Sequence, residues 1–301
     1  MPAVVLALLT PIAVSCSKTN DSRILVPVEG IVRLRDGPPL GGITVAFFAP
    51  RDTLVLPALS PLAPEVRGSG RGLIYENPVI AKTDALGRFR TTLTEGRYEV
   101  WIGGPPDSGI MSQRMPDLAL RSSRVTLDLR YAGYRLSGRL VGPNGTALTT
   151  GHIFVFSGTN TARSSIVAGG YSVLLPADTF DIWANPESVD YNRGIPRVKH
   201  DGIILSSDSA LDLSVDGFVV TGTVTGPGGI RRVGGWVYAS GSTASAYSPT
   251  AADGTYRMYL PGMEYVFTVD PAPGPGDSVG VYPNVLIDAD RTLDFDLPGS
   301  P

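Results

Sequence analysis

Residues 84–101, DALGRFRTTLTEGRYEVW, decide how this chain is read. Apolar and polar residues alternate on either side of Glu95 and Gly96, the period of strands that bury one face, with turn chemistry between them. The stretch therefore predicts a tight β-hairpin with Phe89 and Tyr98 as core anchors. Nine residues separate these aromatics, and the same interval returns between Tyr171 and Phe180 and between Tyr256 and Tyr265. A spacing that comes three times marks a tandem repeat.

The flanks of each copy agree. Residues 24–35, ILVPVEGIVRLR, alternate around Gly30 and stop at Asp36-Gly37-Pro38-Pro39; residues 134–141 stop at Gly142-Pro143-Asn144-Gly145, and residues 218–225 at Gly226-Pro227-Gly228-Gly229. In each copy the strand glycine precedes the turn glycine by seven residues: Gly30 and Gly37, Gly138 and Gly145, Gly222 and Gly229. A second strand follows at 43–48, 152–156 and 236–239, and a closing strand at 125–129, 210–213 and 292–295. These landmarks divide the chain into units 24–131, 132–215 and 216–301, abutting almost without linkers. The first unit is longer because residues 51–77, rich in Pro and Gly, form a predicted long exposed loop. Short strands, frequent turns and no helical period argue an all-β chain of three tandem sandwich modules.

Composition bounds the function. The chain has 301 residues, 36 Gly, 26 Pro, only 18% charged residues and a net charge of -3. That leaves no broad basic field to draw in nucleic acid. Its one cysteine, Cys16, excludes an intramolecular disulfide and a cysteine-based metal site. Residues 3–14 are an apolar run of signal-peptide length ending in small residues, and Ala13-Val14-Ser15-Cys16 resembles a bacterial lipobox. The expectation is a lipoprotein signal peptide over 1–15, lipidation at Cys16, and a polar tether over 16–23. Ala13 stands where Leu is usual in a lipobox, and no Lys or Arg precedes the apolar run; an ordinary secretory signal is the alternative. Two or three acyl chains at about 0.8 kcal/mol per buried methylene would hold the chain on a membrane permanently.

The order of motifs resembles a known family. An opening strand written EGIVRL or TGTVTG, then TDALGRF or ADGTYRMY, then TEGRYEVWI or PGMEYVF, is similar to the carboxypeptidase regulatory-like domain. The second copy departs from it, with Ala168-Gly169-Gly170-Tyr171 lacking the Asp and Pro176-Ala177-Asp178 replacing the usual Pro-Gly turn. The resemblance implies transthyretin-like (prealbumin-like) Greek-key sandwiches that serve as accessory modules in envelope and secreted proteins. It implies no peptidase activity, because zinc ligands in such proteins belong to a separate catalytic domain.

Few residues invite chemistry. His152 and His200 are the only histidines, neither with a Glu at zinc-ligand spacing, and no G-x-S-x-G elbow is present, so no catalytic residue, metal site or cofactor is assigned. Asp288, Asp290, Asp294 and Asp296 lack the Gly and Glu of a calcium loop and read as a solvated strand edge. Asp128, Asp212 and Asp294 recur in all three copies, which suggests a structural role such as an edge charge against aggregation. Arg67 to Gly72 lacks the P-loop Lys and hydroxyl pair and reads as flexible loop. The candidates for contact are Trp101 and Trp183, which alternation places opposite the core face beside Glu99 and Asp181. Either they bind a ligand or anchor a partner, or the Pro-containing segments that follow cover them, or they pack between modules. The sequence thus predicts a non-enzymatic, lipid-anchored envelope protein, an outer-membrane lipoprotein facing the periplasm or the cell surface. It would act as a spacer or as a carbohydrate- or protein-binding module. The alternatives are an accessory component of an outer-membrane transport or hydrolase system, and a hydrolase with an unrecognised site.

Overall fold

The computed structural model of the chain describes residues 24–297 apart from 36, 50–77, 122, 188–189, 191 and 273–277. The expected signal peptide (1–15), Cys16, the tether (16–23) and the loop 51–77 with its Arg67 to Gly72 stretch lie outside the described residues. The described chain is almost entirely strand, arranged as all-β sandwiches.

Residues 24–131 carry β1 (Leu25–Leu34), β2 (Thr44–Phe48), β3 (Val79–Lys82), β4 (Arg88–Thr94), β5 (Gly96–Gly103), β6 (Gln113–Arg114), β7 (Leu118–Leu120) and β8 (Val125–Tyr131). Residues 132–215 carry β9 (Gly133–Val141), β10 (Gly151–Ser157), β11 (Asn160–Ser165), β12 (Gly170–Pro176), β13 (Asp178–Pro186), β14 (Arg197–Leu205), β15 (Ser209–Ala210) and β16 (Leu213–Ser214). The rest carry β17 (Phe218–Gly226), β18 (Ile230–Arg231), β19 (Trp236–Ser240), β20 (Ala244–Pro249), β21 (Thr255–Leu260), β22 (Met263–Asp270), β23 (Gly280–Ile287), β24 (Arg291–Thr292) and β25 (Phe295–Asp296).

One plan is used three times. The opening strand (β1, β9, β17) is antiparallel to the strand carrying the first aromatic anchor (β4, β12, β21). On its other side it is parallel to the closing strand: β8, then β15 with β16, then β24 with β25. The remaining strands, except β18, which pairs with β17, make the facing sheet, ordered β3-β2-β5-β6 with β7 also on β5, β11-β10-β13-β14 and β20-β19-β22-β23. Side chains at alternate positions of both sheets fill the space between, as in Phe89 and Leu93 against Tyr98, Val100 and Ile102.

The stretch 84–101 is not a hairpin. β4 pairs with β1 and β5 pairs with β2, so the two strands lie in opposite sheets and face each other across the core. The physical reason is the link: only Glu95 separates the strands, too little chain to reverse direction within one sheet. Alternation fixes which face is buried but not which strand is the neighbour. The second anchor locks the crossing. The Tyr98 hydroxyl donates to the Thr94 carbonyl at 2.9 Å, and the Tyr265 hydroxyl to the Pro261 carbonyl at 3.0 Å, each reaching back four residues across the corner. This is the device of a tyrosine corner. Phe180 fills the same place in the second copy without a hydroxyl to give.

The recurrent glycine and aspartates hold the closing strand. A Cβ on Gly30, Gly138 or Gly222 would lie 2.6, 1.8 or 1.7 Å from the carbonyl oxygens of Leu127, Leu211 and Leu293, closer than any side chain permits. Those carbonyls are wanted nearby: the Tyr171 hydroxyl donates to that of Leu211 at 2.6 Å, and the Tyr256 hydroxyl to that of Leu293 at 2.8 Å. Where the closing strand breaks into two pieces, the opening strand's amides turn to carboxylates. Asp208 and Asp212 accept the amides of Arg135 and Arg139 at 2.9 and 2.8 Å, and Asp290 and Asp294 accept those of Val219 and Thr223 at 2.9 and 2.8 Å. Asp296 accepts the Thr225 hydroxyl. Asp288, Asp290, Asp294 and Asp296 are all exposed, as a solvated edge requires, and Asp290 and Asp294 in addition stand in for strand carbonyls. In the first copy, whose closing strand is unbroken, Asp128 instead pairs with Arg33 at 3.1 Å and Arg130 at 3.2 Å.

The copies join in two different ways. β14 of the second copy pairs with β20 of the third, Arg197 opposite Ser245 and Val198 opposite Ala244, which makes one eight-stranded sheet. One continuous core, including Ile182, Val198, Ala244 and Phe267, runs beneath it. The first copy keeps a separate core, to which the second lends Leu174 while Met111 of the first enters the shared core. The Tyr131 hydroxyl, buried between them, is shared by the carbonyls of Met111 at 2.8 Å and Leu174 at 3.0 Å. Around it lies a polar clasp: Arg163 to Asp107 at 3.0 Å, Arg35 to Asp208 at 3.8 Å, and the Arg35 guanidinium 3.6 Å from the Tyr134 ring centre.

Candidate functional site

Trp101 and Trp183 both leave the core, as strand alternation requires, since Ile102, Ile182 and Ala184 beside them are buried. Both are half-buried, and they lie in separate sheets, on β5 and β13. The Trp101 indole N–H donates to Glu99 at 2.7 Å, and Arg114, its cross-strand partner on β6, reaches the same carboxylate at 3.3 Å. This tryptophan is therefore part of a small polar cluster over β5 and β6. Its neighbours are side chains of the sheet face itself.

Trp183 stands in a richer place. On the outer face of the eight-stranded sheet it lies between Phe154 on β10 and Lys199 on β14, its cross-strand partners. The Arg197 guanidinium sits 4.5 Å from the Trp183 ring centre, and that of Arg163 sits 5.1 Å from the Phe154 ring centre. Lys199 bridges Asp181 at 2.9 Å and Asp201 at 2.5 Å. The Lys199 ammonium, helped by the Gly202 amide, holds the Asp181 carboxyl below the usual carboxylate range. Flat apolar rings are thus set among fixed donors and acceptors.

The same outer face continues into the third copy with three rings that sequence reasoning did not single out. Trp236 and Tyr238 on β19 meet Tyr247 on β20, with ring centres 5.3 Å apart for Trp236 and Tyr247 and 5.9 Å for Tyr238 and Tyr247. The signal was present as alternation, Trp236 and Tyr238 being two residues apart on a strand whose Val237 and Ala239 are buried. Tyr247 could not be added from sequence, because its place beside Tyr238 depends on register. Across the junction the two aromatic groups share one surface.

Other features offer less chemistry. An open concavity of about 710 Å³ lies over β17 and β21, lined by Thr221, Thr223, Arg257 and Asp294 with Arg193 from the second copy. Several of its hydroxyls are committed to structure, Thr223 to Asp294, Ser248 to the Pro249 carbonyl and Thr255 to Asp253. His152 lies 3.6 Å from Glu187, and His200 lies 3.1 Å from the Ser214 carbonyl. Among the described residues no three His, Cys, Asp or Glu side chains gather as a metal site would require. Among the same residues, no helix is long and apolar enough to cross a membrane.

No protein-family model matches the chain. No curated protein matches it. Among solved structures, the Bacillus anthracis TIE protein is similar over 92% of this chain at 10% identity and a TM-score of 0.24, and this chain spans about half (51%) of its length. A streptococcal ancillary pilin matches at 9% identity, covering 92% of this chain and 99% of the pilin with a TM-score of 0.25. A Bacteroides ovatus protein described as a putative adhesin matches at 9% identity over 69% of this chain and 95% of its own, with a TM-score of 0.28.

Proposed function

We propose that this chain is a non-enzymatic cell-envelope protein, held on the outer membrane through lipid at Cys16, whose modules are of the carboxypeptidase regulatory-like kind. The stiff body formed by the second and third modules presents a saccharide-binding face to its surroundings. One observation carries the reading: the outer face of the eight-stranded sheet sets Phe154 and Trp183 among Arg163, Arg197, Lys199 and Asp181. A pyranose ring offers an apolar C–H face that stacks on an indole, and hydroxyls at its rim that accept hydrogen bonds from guanidinium groups and donate them to carboxylates. Arg197 now occupies the Trp183 ring face. An exposed cation–π contact is worth only about 0.5–1 kcal/mol, so a sugar can displace it and keep the guanidinium as a hydrogen-bond donor.

A glycan and protein array probed with the intact chain, followed by titration of indole fluorescence with any polysaccharide retained, tests the reading. Trp183→Ala is expected to weaken saturable binding about tenfold, equivalent to about 1.4 kcal/mol, with little change in melting temperature. Trp101→Ala is expected to leave it unchanged. Binding indifferent to Trp183→Ala removes the face as the site, turnover of the glycan removes the non-enzymatic reading, and retention of proteins alone favours an accessory role in a transport complex.

A further inference from the structure

The eight-stranded sheet ends on β23, whose outer edge pairs with no strand among the described residues. The repeat says what that edge is built to do. Val281 stands opposite Thr268 as Lys199 stands opposite Trp183, and Gly280 opposite Val269 as Val198 opposite Ala184. Residues 279–281 therefore occupy the places of residues 197–199, the segment by which β14 grips the third module. There Arg197 and Val198 pair with Ser245 and Ala244, and the Lys199 amide donates to the Thr243 carbonyl at 2.7 Å. The irregularity that ends each pairing segment also coincides. Gly202 (φ 68°) and Asn284 (φ 58°) mark it, so Pro283 and the bulge of β23 begin only after the usable three residues.

We propose that residues 279–281 of β23 pair antiparallel with the same residues of a second copy of this chain, about a two-fold axis through Gly280. Edge strands left bare and apolar are templates for pairing, and Val279 and Val281 are 51% and 60% exposed where the second module carries Arg and Lys. The segment is self-complementary: Gly280 faces Gly280, and each Val279 meets the other copy's Val281 with no charge to repel it. The three places equivalent to the one that β14 grips are closed. β20 is taken by β14, β11 is flanked by Ser108 and Gly109 of the first module, and Pro78, at the position of Ser245, has no amide to donate. The contact is short, so the dimer is weak and concentration-dependent. It does not rest on the saccharide reading.

Sedimentation velocity of the full chain carrying Cys16→Ser, in mild nonionic detergent from about 1 to about 300 µM, tests it. The expected result is a mass that rises from one chain toward two. V279K/V281K sets lysine against lysine across the axis and is expected to leave a monomer throughout. V279K/V281E sets lysine against glutamate in both halves and is expected to restore the dimer, with all three proteins melting alike because both positions are exposed. A monomer at every concentration, a dimer untouched by V279K/V281K, or a failure of V279K/V281E to recover what V279K/V281K lost overturns the proposal.

Discussion

The junction between the first and second modules is a clasp, whereas the junction between the second and third is a merger. The difference lies in one strand. In the second module the strand after the crossing, β14, runs nine residues without a break and offers its edge to β20. In the first module its counterpart is cut into the two-residue β6 and the short β7 by Pro116, which has no amide for a ladder. The residues matching 197–199 are 112–114, whose edge meets no strand of the second module; the preceding loop reaches over instead. The Gly109 amide donates to the Arg163 carbonyl at 2.8 Å, and the Leu174 amide donates to the Gly109 carbonyl at 2.7 Å. Three copies of one plan thus yield one stiff two-module body with a third module attached through a few hydrogen bonds, ion pairs and exchanged apolar side chains.

The comparison breaks most visibly at Val198, 9% exposed and at the seam of the shared core. Val198→Asp would bury an unpaired carboxylate and cost more than about 3 kcal/mol. Calorimetry should show the transition of the second and third modules falling together by about 10 °C, while that of the first stays in place. Separate melting of the second and third modules would mean that the merged sheet is not a cooperative unit. Tyr131→Phe probes the clasp with a smaller effect. It leaves the Met111 and Leu174 carbonyls short of a buried donor, for about 1–2 kcal/mol. Small-angle scattering should show a broader distribution of sizes as the first module swings more freely, and the transition of the merged body should hardly move. A scattering curve identical to that of the unaltered chain would place the stiffness of the clasp in Arg35 and Arg163 instead.

Much of this was written in the sequence, and the remainder was not there in principle. The all-β character, the period and the buried faces follow from alternation, because every strand has one wet and one dry side. The opening glycine was visible as a spacing, but its reason, a carbonyl less than 3 Å from where a Cβ would stand, belongs to the packed chain. Partner choice was misread. Residues 84–101 looked like a hairpin because two alternating runs on either side of a turn look the same whether they pair or face each other. Asp212 and Asp294 recurred visibly, yet only the gap in the closing strand shows that they stand in for missing carbonyls. Trp183 was legible as an outward ring. Its company of Phe154, Arg197 and the rings beyond the junction depends on register and on the merger, which local sequence does not encode.

The smallest effect separates the two bodies by pH. His152 and His200 are the chain's only histidines, and both belong to the second module. His200 is half-buried on β14, and burial pushes its imidazole below the ordinary value of 6.5, although the Ser214 carbonyl and Asp201 pull the other way. A folded value below the unfolded one means that the unfolded chain binds a proton the folded chain refuses. Stability is therefore complete above about pH 6.5 and declines as the pH falls through that value. The carboxylates whose values are lowered, Asp181, Asp212 and Asp294 among them, lose their contribution only in the range below ordinary carboxylate titration, so they do not disturb this window. Between pH 7 and 5.5 the merged body should lose at most about 1 kcal/mol, seen as a fall of a few degrees in its transition, with the first module unmoved. His200→Gln should flatten that slope. If the first module falls by the same amount, the titrating group lies in the clasp and the two bodies are less independent than their separate cores imply.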